Sequence, residues 1–224
     1  EVYINQSGSS GRLERLMSAA ESAGIPVKGT HPSRLKSLAG TDGHQGVAAR
    51  VGAYPLVALS DLAGVRDGTE PAPFVLLLDG VLDPHNLGAC MRTADAAGLD
   101  AVIVADLKGD LYNPNVIRSS VGCLFTVQVA TGSNYEVLQF LRAKHMQILA
   151  AALGDSRRYD LVDYTATTAI VVGTESTGLT ELWLDGADAR VTIPMQGIID
   201  SMNVSVAASV LIFEARRQRG FSVG

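Results

Sequence analysis

The stretch FVLLLDGVLDPHNLGACMRTADAA, residues 74–97, decides the fold class, because it joins an apolar strand to an amphipathic helix. Its first six residues are a short aliphatic run, as is typical of a strand buried on both faces of a parallel sheet. After a turn, the helix is predicted over 86–97 with Asn86 as its capping residue. The same alternation continues along the chain, which predicts an α/β fold with helices on both faces of a parallel sheet. The further predicted strands are 101–105, 124–129, 146–152, 168–173 and 189–193, and the further helices are 113–121, 134–144, 178–184 and 203–218.

A smaller α/β unit is predicted to precede this sheet, with strands at Val2–Ile4, Val27 and Val47–Val51 and helices at Arg12–Ala23 and His31–Leu38. Residues 53–73 contain Pro and Gly at close intervals and are predicted to be a linker. The chain is therefore divided into a domain of residues 1–52, a linker, and a domain of residues 74–224.

The last predicted helix carries an apolar stripe that passes into basic residues at its carboxyl end. Val206, Val210, Phe213 and Arg217 follow one another at i, i+4, i+7 and i+11. The basic residues near position 217 suit the negative end of the helix dipole. The stripe is predicted to mark one face of this helix.

Composition limits the possible functions. Hydrophobic residues make up 47% of the 224 residues, which allows a sizeable core. No apolar stretch approaches the roughly 20 residues of a membrane span. The two cysteines have no metal-binding or disulfide spacing, which suggests a reduced cytosol. Residues 1–60 carry six basic and four acidic side chains, a net charge of +2, whereas the remainder carries −7. RNA binding by the N-terminal part is permitted, and an ordinary solvated surface explains the charge equally well.

Several common sites are absent from the sequence. There is no GxGxxG after the first strand, no GxxxxGK[ST] and no GxSxG, and the four histidines lack metal-ligand spacing. Three segments remain at which parallel strands end and ligands commonly bind. The first holds Arg92, for which a surface position on an amphipathic helix is an equal alternative. The second, residues 173–179, brackets Glu175 with glycines, and a polar turn explains it as well. The third, residues 193–203, is a mostly apolar loop that ends in helix-capping residues.

Together these segments resemble the three motifs of the SpoU–TrmH family of RNA ribose 2′-O-methyltransferases, in the order and spacing of that family. The likeness covers about residues 74–219, and residues 79–90 are most similar to the bacterial branch that methylates a guanosine of 23S ribosomal RNA. In that branch a small L30e-like RNA-binding domain comes first, and residues 1–52 resemble most of it. The usual opening helix of that domain is missing, as expected of an incomplete N-terminus. The matching residues are Asn86, Gly88 and Arg92–Ala94, then Gly173, Glu175, Gly178 and Leu179, then Ile193–Met195, Ser201 and Asn203–Ala207.

The resemblance implies a cytoplasmic, homodimeric enzyme that methylates RNA with S-adenosylmethionine, releases S-adenosylhomocysteine and needs no metal. It also implies a deep trefoil knot, formed by the loops of the second and third segments, which hold the cofactor in a bent shape. The implied cofactor-binding residues are Gly173, Ile193, Met195 and Met202. The implied catalytic residues are Arg92, Asn86, Glu175, Ser201 and Asn203.

In this reaction a ribose oxygen attacks a sulfonium methyl group in line, and the enzyme must align the reacting atoms and remove a proton. Some accounts of the family make the arginine the general base, but a guanidinium with a pKa above about 12 is poorly suited to that role. We therefore predict that Arg92 clamps the adjacent RNA phosphate and stabilises the developing alkoxide. The proton is predicted to leave through a network that includes Glu175 or Ser201.

Departures from the family pattern put substrate fit in doubt without removing an implied catalytic group. Ser176 and Thr177 stand where relatives often have glycine and a polar or acidic residue, Asp200 precedes Ser201, and Met202 replaces a usual leucine. Alternatives are the same chemistry on transfer RNA or on another ribosomal nucleotide, and a non-catalytic knotted RNA-binding protein. A nicotinamide-dependent oxidoreductase is disfavoured by the missing glycine fingerprint.

Overall fold

The computed structural model describes residues 1–6, 10–52, 56–62, 65, 71–174 and 177–221. Two compact units divide the chain, Glu1–Pro55 and Leu56–Gly224. Each is built around its own sheet. None of the helices in the described part of the chain has the length and apolar character needed to cross a lipid bilayer.

The N-terminal unit is a three-stranded sheet with two helices. Its elements are β1 (Val2–Asn5), α1 (Gly11–Ser22), β2 (Val27–Thr30), α2 (Pro32–Ala39) and β3 (Val47–Ala49). Strand β1 lies in the centre, parallel to β2 and antiparallel to β3. Ser10 starts α1 by accepting a hydrogen bond from the Leu13 amide, a standard N-cap. The predicted order of elements is confirmed, although the last strand ends two residues earlier than predicted.

The C-terminal unit is a seven-stranded parallel sheet in the order β6-β5-β4-β9-β7-β10-β8. Strands β4, β5 and β9 are buried along their whole length, as the aliphatic runs predict. The strands are β4 (Phe74–Asp79), β5 (Ala101–Ala105), β6 (Val129–Gly132), β7 (Gln147–Ala151), β8 (Arg157–Arg158), β9 (Thr168–Val172) and β10 (Ala189–Thr192). The helices are α3 (Pro84–Ala97), α4 (Pro114–Ser119), α5 (Asn134–Ala143), α6 (Glu181–Gly186) and α7 (Val204–Arg219).

Helices cover both faces of this sheet. Alternate side chains of β4 enter two different cores: Phe74, Leu76 and Leu78 pack with residues of α3, α4 and α7, whereas Val75 and Leu77 pack with residues of α5 and α6. A doubly covered parallel sheet places its loops, and therefore its ligand sites, at the carboxyl ends of the strands. The α/β fold class predicted from the sequence is confirmed.

Part of the segment predicted as a linker belongs to the C-terminal unit. The Val57 amide donates to the Val129 carbonyl, and Leu62 and Val65 are buried in the core beside α5. The domain boundaries of 1–52 and 74–224 stay predictions.

One predicted strand was placed too early. The run 124–129 was expected to form a strand, but Cys123–Phe125 forms a 3-10 turn that buries Leu124, and the strand comprises Val129–Gly132. An apolar run indicates burial, but it forms a strand only where it pairs with a neighbouring strand. Here the pairing with β5 begins at Val129.

The apolar stripe predicted for the last helix is not the face that the helix buries. Val206 and Phe213 are 49% and 42% exposed. The buried face includes two alanines and packs against α3, and Thr93 Oγ1 and Ser209 Oγ lie 3.0 Å apart across that contact. The buried residues of α7 are Val204, Ala208, Leu211, Ile212 and Ala215.

The carboxyl end of α7 is fastened to the amino-terminal edge of the sheet. Arg219 donates hydrogen bonds to the carbonyls of Ala72, Tyr164 and Ala166, and its guanidinium lies 4.6 Å from the centre of the Phe74 ring. Arg216 bonds the carbonyls at the end of α3 and lies over the same ring. Two of the three arginines at this end therefore attach the helix to the sheet, in addition to suiting its dipole.

Candidate functional site

A cavity of about 520 Å³ lies at the carboxyl ends of β7, β9 and β10, beside the first turns of α7. Its volume falls within the range typical of small-molecule sites. The lining is largely apolar, with Arg190 and Asp200 as the charged side chains among its described residues. Of the residues predicted from the sequence, Gly173, Ile193, Met195, Ser201 and Met202 all lie in this lining.

The glycine loop after β9 forms one wall of the cavity. The Thr174 and Gly178 backbones exchange two hydrogen bonds of 3.2 and 2.9 Å, which close the loop. A Cβ atom on Gly173 would lie 2.2 Å from the Gly178 carbonyl oxygen, so the two limbs touch backbone to backbone. Glu175, predicted to be catalytic, lies outside the described residues, as does Ser176.

The first and third predicted segments meet through a pair of asparagines. Asn203 Nδ2 donates to Asn86 Oδ1 over 2.9 Å, and Asn203 Oδ1 accepts the Ser205 amide at 3.0 Å as the N-cap of α7. Asn86 was expected to cap α3, but Asp83 caps that helix and Asn86 lies buried in its first turn. The correction follows from Pro84, which occupies the first helical position and moves the helix start upstream. The Asn86 side chain thereby joins α3 to the start of α7.

The sequence predicts that Gly88 lets another group approach the backbone closely, and in the structure that group is α4. A Cβ atom at this position would lie 1.9 Å from Ser119 Oγ and 2.7 Å from the Val116 carbonyl oxygen. The glycine thus allows α3 and α4 to pack in direct contact. Its role is in helix packing.

Arg92 is exposed on α3 and is not among the described residues that line the cavity. Its positive charge acts on the nearby Cys123 thiol, whose pKa is raised by burial and by the Asp95 carboxylate while Arg92 opposes both. The structure therefore brings five predicted residues of the second and third segments into one lining, Gly173, Ile193, Met195, Ser201 and Met202, and leaves Arg92 exposed outside that lining.

Some lining residues were not predicted from the sequence. The lining includes Ala151, the last residue of β7, with Ala152 and Leu153 after it, and Arg190 of β10. The Arg190 guanidinium donates two hydrogen bonds, of 3.1 and 3.0 Å, to the Leu184 carbonyl in the second half of α6. The only available signal was their position at or near the ends of predicted strands, which many residues share.

Comparison with known proteins places these features in context. Residues 73–213 match the SpoU rRNA Methylase family, and residues 1–57 match the family described as RNA 2'-O ribose methyltransferase substrate binding. The chain is 39% identical over 222 residues to the 23S rRNA (guanosine-2'-O-)-methyltransferase RlmB of Ralstonia nicotianae, covering 98% of this chain and 88% of that protein.

Solved structures of RNA methyltransferases are also similar to this chain. A crystal structure of an RNA 2'-O ribose methyltransferase has a TM-score of 0.78 and 31% identity, with 98% of this chain and 81% of that chain covered. The SpoU methyltransferase AviRb from Streptomyces viridochromogenes, in complex with the cofactor AdoMet, has a TM-score of 0.82 and 26% identity, with 97% and 82% covered.

Proposed function

The chain belongs to the SpoU rRNA Methylase family and is an S-adenosylmethionine-dependent RNA 2′-O-ribose methyltransferase, and we propose that it methylates a guanosine of 23S ribosomal RNA. The single observation that carries the choice of substrate is the extent of the likeness to enzymes of that name, which spans both units of the chain.

The cavity suits the methyl donor. Its apolar lining offers surface for an adenine ring, and the close approach of Gly173 to Gly178 leaves backbone groups at its wall. When bound, S-adenosylmethionine supplies an activated sulfonium methyl group. We propose that backbone groups of Gly173, Ile193 and Met202 hold it, with Met195 packed beside them. We also propose that the loops 173–179 and 193–203 form the trefoil knot of the family, because both line one cavity.

The catalytic roles are assigned by resemblance and chemistry. Arg92 clamps the RNA phosphate next to the target ribose and stabilises the developing alkoxide, since a guanidinium is a strong double donor and a poor base. The bond between Asn86 and Asn203 fixes the helix that carries Arg92 against the start of α7. Glu175 or Ser201 accepts the ribose proton; the Ser201 hydroxyl lies 3.2 Å from the Asp200 carboxylate, which provides a further acceptor.

A homodimer explains how Arg92 reaches a cofactor. The exposed face of α7 carries Val206 and Phe213, and Ile198 and Ile199 of the preceding loop are 105% and 67% exposed. Apolar side chains grouped in this way are typical of protein interfaces. We propose that two chains pair through this surface and that Arg92 of one chain serves the cavity of the other.

The pairing is tested by Val206→Glu, which places a charge in the proposed interface. We expect a monomer by light scattering that keeps its fold by circular dichroism and loses methyl transfer. Tyr135→Glu is the matched control, because Tyr135 is 64% exposed and lies on α5, which packs in the core on the opposite face of the sheet from α7. A dimeric and active Val206→Glu protein refutes the proposed interface.

The N-terminal unit is proposed to bind RNA, with residues 1–52 as the substrate-binding domain, 53–73 as linker and 74–224 as the catalytic domain. Within it, a second cavity of about 500 Å³ is lined by Arg12, His44 and Gln45, and Arg12 Nη1 donates to Gln45 Oε1 over 3.3 Å. Cation and amide donors of this kind bind RNA phosphates and base edges. Because the substrate is ribosomal RNA and both cysteines are free, we propose a cytoplasmic location.

The decisive experiment maps 2′-O-methyl groups in ribosomal and transfer RNA from a strain that lacks the gene. We expect one guanosine of 23S ribosomal RNA to lose its methyl group, with rescue by the wild-type gene and none by Arg92→Ala. Loss of a transfer-RNA methyl group instead would identify the alternative substrate. Unchanged methylation together with no S-adenosylmethionine binding in calorimetry would support a non-catalytic RNA-binding protein. Near-full activity of Arg92→Lys with a shifted pH profile would favour the base role over the clamp.

A further inference from the structure

Asp79, at the carboxyl end of β4, is the only buried carboxylate in the part of the chain that the structure describes, with 2% of its surface exposed. Burying a carboxylate is costly unless hydrogen-bond donors surround it. The partners that stabilise this one therefore show what it holds in place.

Both oxygens of Asp79 accept hydrogen bonds from residues far along the chain. Oδ2 accepts the Thr180 amide at 2.8 Å, and Oδ1 accepts Asn134 Nδ2 at 2.9 Å. Thr180 is the N-cap residue of α6 and follows directly on Gly178 and Leu179, which line the cavity. One carboxylate oxygen thus holds the end of the glycine loop.

The side-chain amide of Asn134 extends the network, and exchanging the positions of its oxygen and nitrogen would lose hydrogen bonds. Its Nδ2 donates a second bond to Asp106 Oδ2 at 2.8 Å, and its Oδ1 accepts the indole N–H of Trp183 at 2.7 Å. Two carboxylates require donors on one side and the indole requires an acceptor on the other, so a single orientation satisfies all three. Trp183 is fully buried on α6. Asp79 therefore anchors α6 at its N-cap and, through Asn134, at its first turn.

The position of α6 matters to the cavity because the glycine loop has little freedom. Its outgoing limb begins at Gly173 on the central sheet, its returning limb ends at Thr180, and the two limbs are in contact between Gly173 and Gly178. A shift at Thr180 must move Gly178 and Leu179, and with them one wall of the cavity.

We infer that Asp79 is a positioning residue for cofactor binding, which acts by fixing the returning limb of the glycine loop, residues 177–180, through the Thr180 amide and through Asn134. The inference rests on the proposed cofactor site and adds a residue that touches neither cofactor nor RNA in that proposal.

Asp79→Asn tests the inference with almost no change in shape. The new Asn side chain has one acceptor oxygen but faces two donors, so the hydrogen bond from Thr180 or the one from Asn134 is lost. Exchanging the oxygen and nitrogen of Asn134 would restore that bond but lose the one that Trp183 donates to Asn134. We expect the Kd for S-adenosylmethionine, measured by titration calorimetry, to rise at least about tenfold. The KM for S-adenosylmethionine should rise with it, while the KM for RNA is unchanged.

Asp100→Asn is the matched control. Asp100 Oδ2 accepts the Phe74 amide at 2.7 Å, so it performs the same kind of anchoring at the amino end of the same strand, away from the cavity. A general loss of stability would affect both variants. The inference holds if Asp79→Asn alone weakens cofactor binding at a temperature where both variants are folded. It is overturned if the two variants bind the cofactor equally well or equally poorly.

Two further outcomes are distinguishable. If Asp79→Asn does not fold, Asn134→Ala removes the bridge between Asp79 and Trp183 at a partly exposed position, and a wild-type Kd for that variant overturns the inference, whereas a measurable rise supports it. If the wild-type protein itself binds no S-adenosylmethionine, the proposed cofactor site fails and the inference fails with it. Wild-type binding is therefore measured first.

Discussion

Replacing Gly173 by alanine is expected to damage the cofactor wall by steric contact alone. The Gly173 φ is not positive, so alanine meets no backbone penalty there. Its Cβ would lie 2.4 Å from the Gly178 carbonyl carbon and 2.6 Å from the Leu179 amide nitrogen. Restoring a normal separation of about 3.5 Å requires the two limbs to move apart by roughly 1 Å. That movement breaks the Thr174–Gly178 hydrogen bonds, which are 3.2 and 2.9 Å long.

The size of the effect follows from these contacts. Overpacking and two lost hydrogen bonds together lower the free energy of unfolding by about 3 kcal/mol, measurable by urea titration. Displacement of the cavity wall by about 1 Å should reduce methyl transfer about 100-fold. Gly197→Ala is the control, because it lies in the other loop of the site and a Cβ there has nothing within 4 Å. If Gly173→Ala binds S-adenosylmethionine as tightly as Gly197→Ala does, the close approach of the two limbs is not what shapes the site.

Three further predictions concern the rest of the C-terminal unit. Gly88→Ala pushes α3 away from α4 and should lower the free energy of unfolding by about 3 kcal/mol. Gly109→Ala is the control, because a Cβ atom there has open space around it and should not change this free energy. Equal urea midpoints for the two variants would contradict the packing role of Gly88. The hydroxyl of buried Tyr164 has no hydrogen-bond partner among the described residues. Tyr164→Phe should therefore leave the free energy of unfolding unchanged or raise it by about 1 kcal/mol. A clear fall in the melting temperature of this variant would reveal a partner. Hydrogen bonding to Arg217 lowers the pKa of Glu214, so the stability that this carboxylate contributes is complete above its unfolded value of 4.5 and is lost as the pH falls through the lower folded value. Glu214→Gln should therefore flatten the dependence of the free energy of unfolding on pH below 4.5, and an unchanged slope would count against the pair.

The sequence was sufficient for the class of fold because burial and periodicity are local properties. Continuous aliphatic runs such as 74–79 and 101–105 became fully buried strands with the predicted bounds. The run after Cys123 was misplaced because its burial comes from a turn packed against α3, and hydrophobicity does not distinguish these cases. The strand Arg157–Arg158 was missed because it is short and exposed.

The orientation of the last helix depended on its neighbour rather than on its own pattern. A helix packed closely on another buries small residues, so Ala208 and Ala215 face α3 while Phe213 is left exposed. The largest apolar side chains of α7 therefore do not indicate which of its faces is buried. No pattern in α7 alone could have indicated that α3 would lie so near.

The residues of the candidate site were predictable only where the sequence motifs resemble those of a known family. Gly173, Ile193 and Met202 come together in one lining, but no spacing rule brings positions twenty or more residues apart to one cavity. The buried network of Asp79, Asn134 and Trp183 was not predicted, because each residue looks ordinary in its own segment and the three meet only in the folded sheet.

The contact of α3 with α4 at Gly88 affects how related sequences should be judged. A protein that has abandoned methyl transfer but keeps these two helices together would still need a residue without a side chain at that position. A glycine at this position therefore indicates that the packing of the two helices is retained, and it does not indicate whether the protein is still active. A survey for inactive relatives should disregard it and examine the position of Arg92 instead.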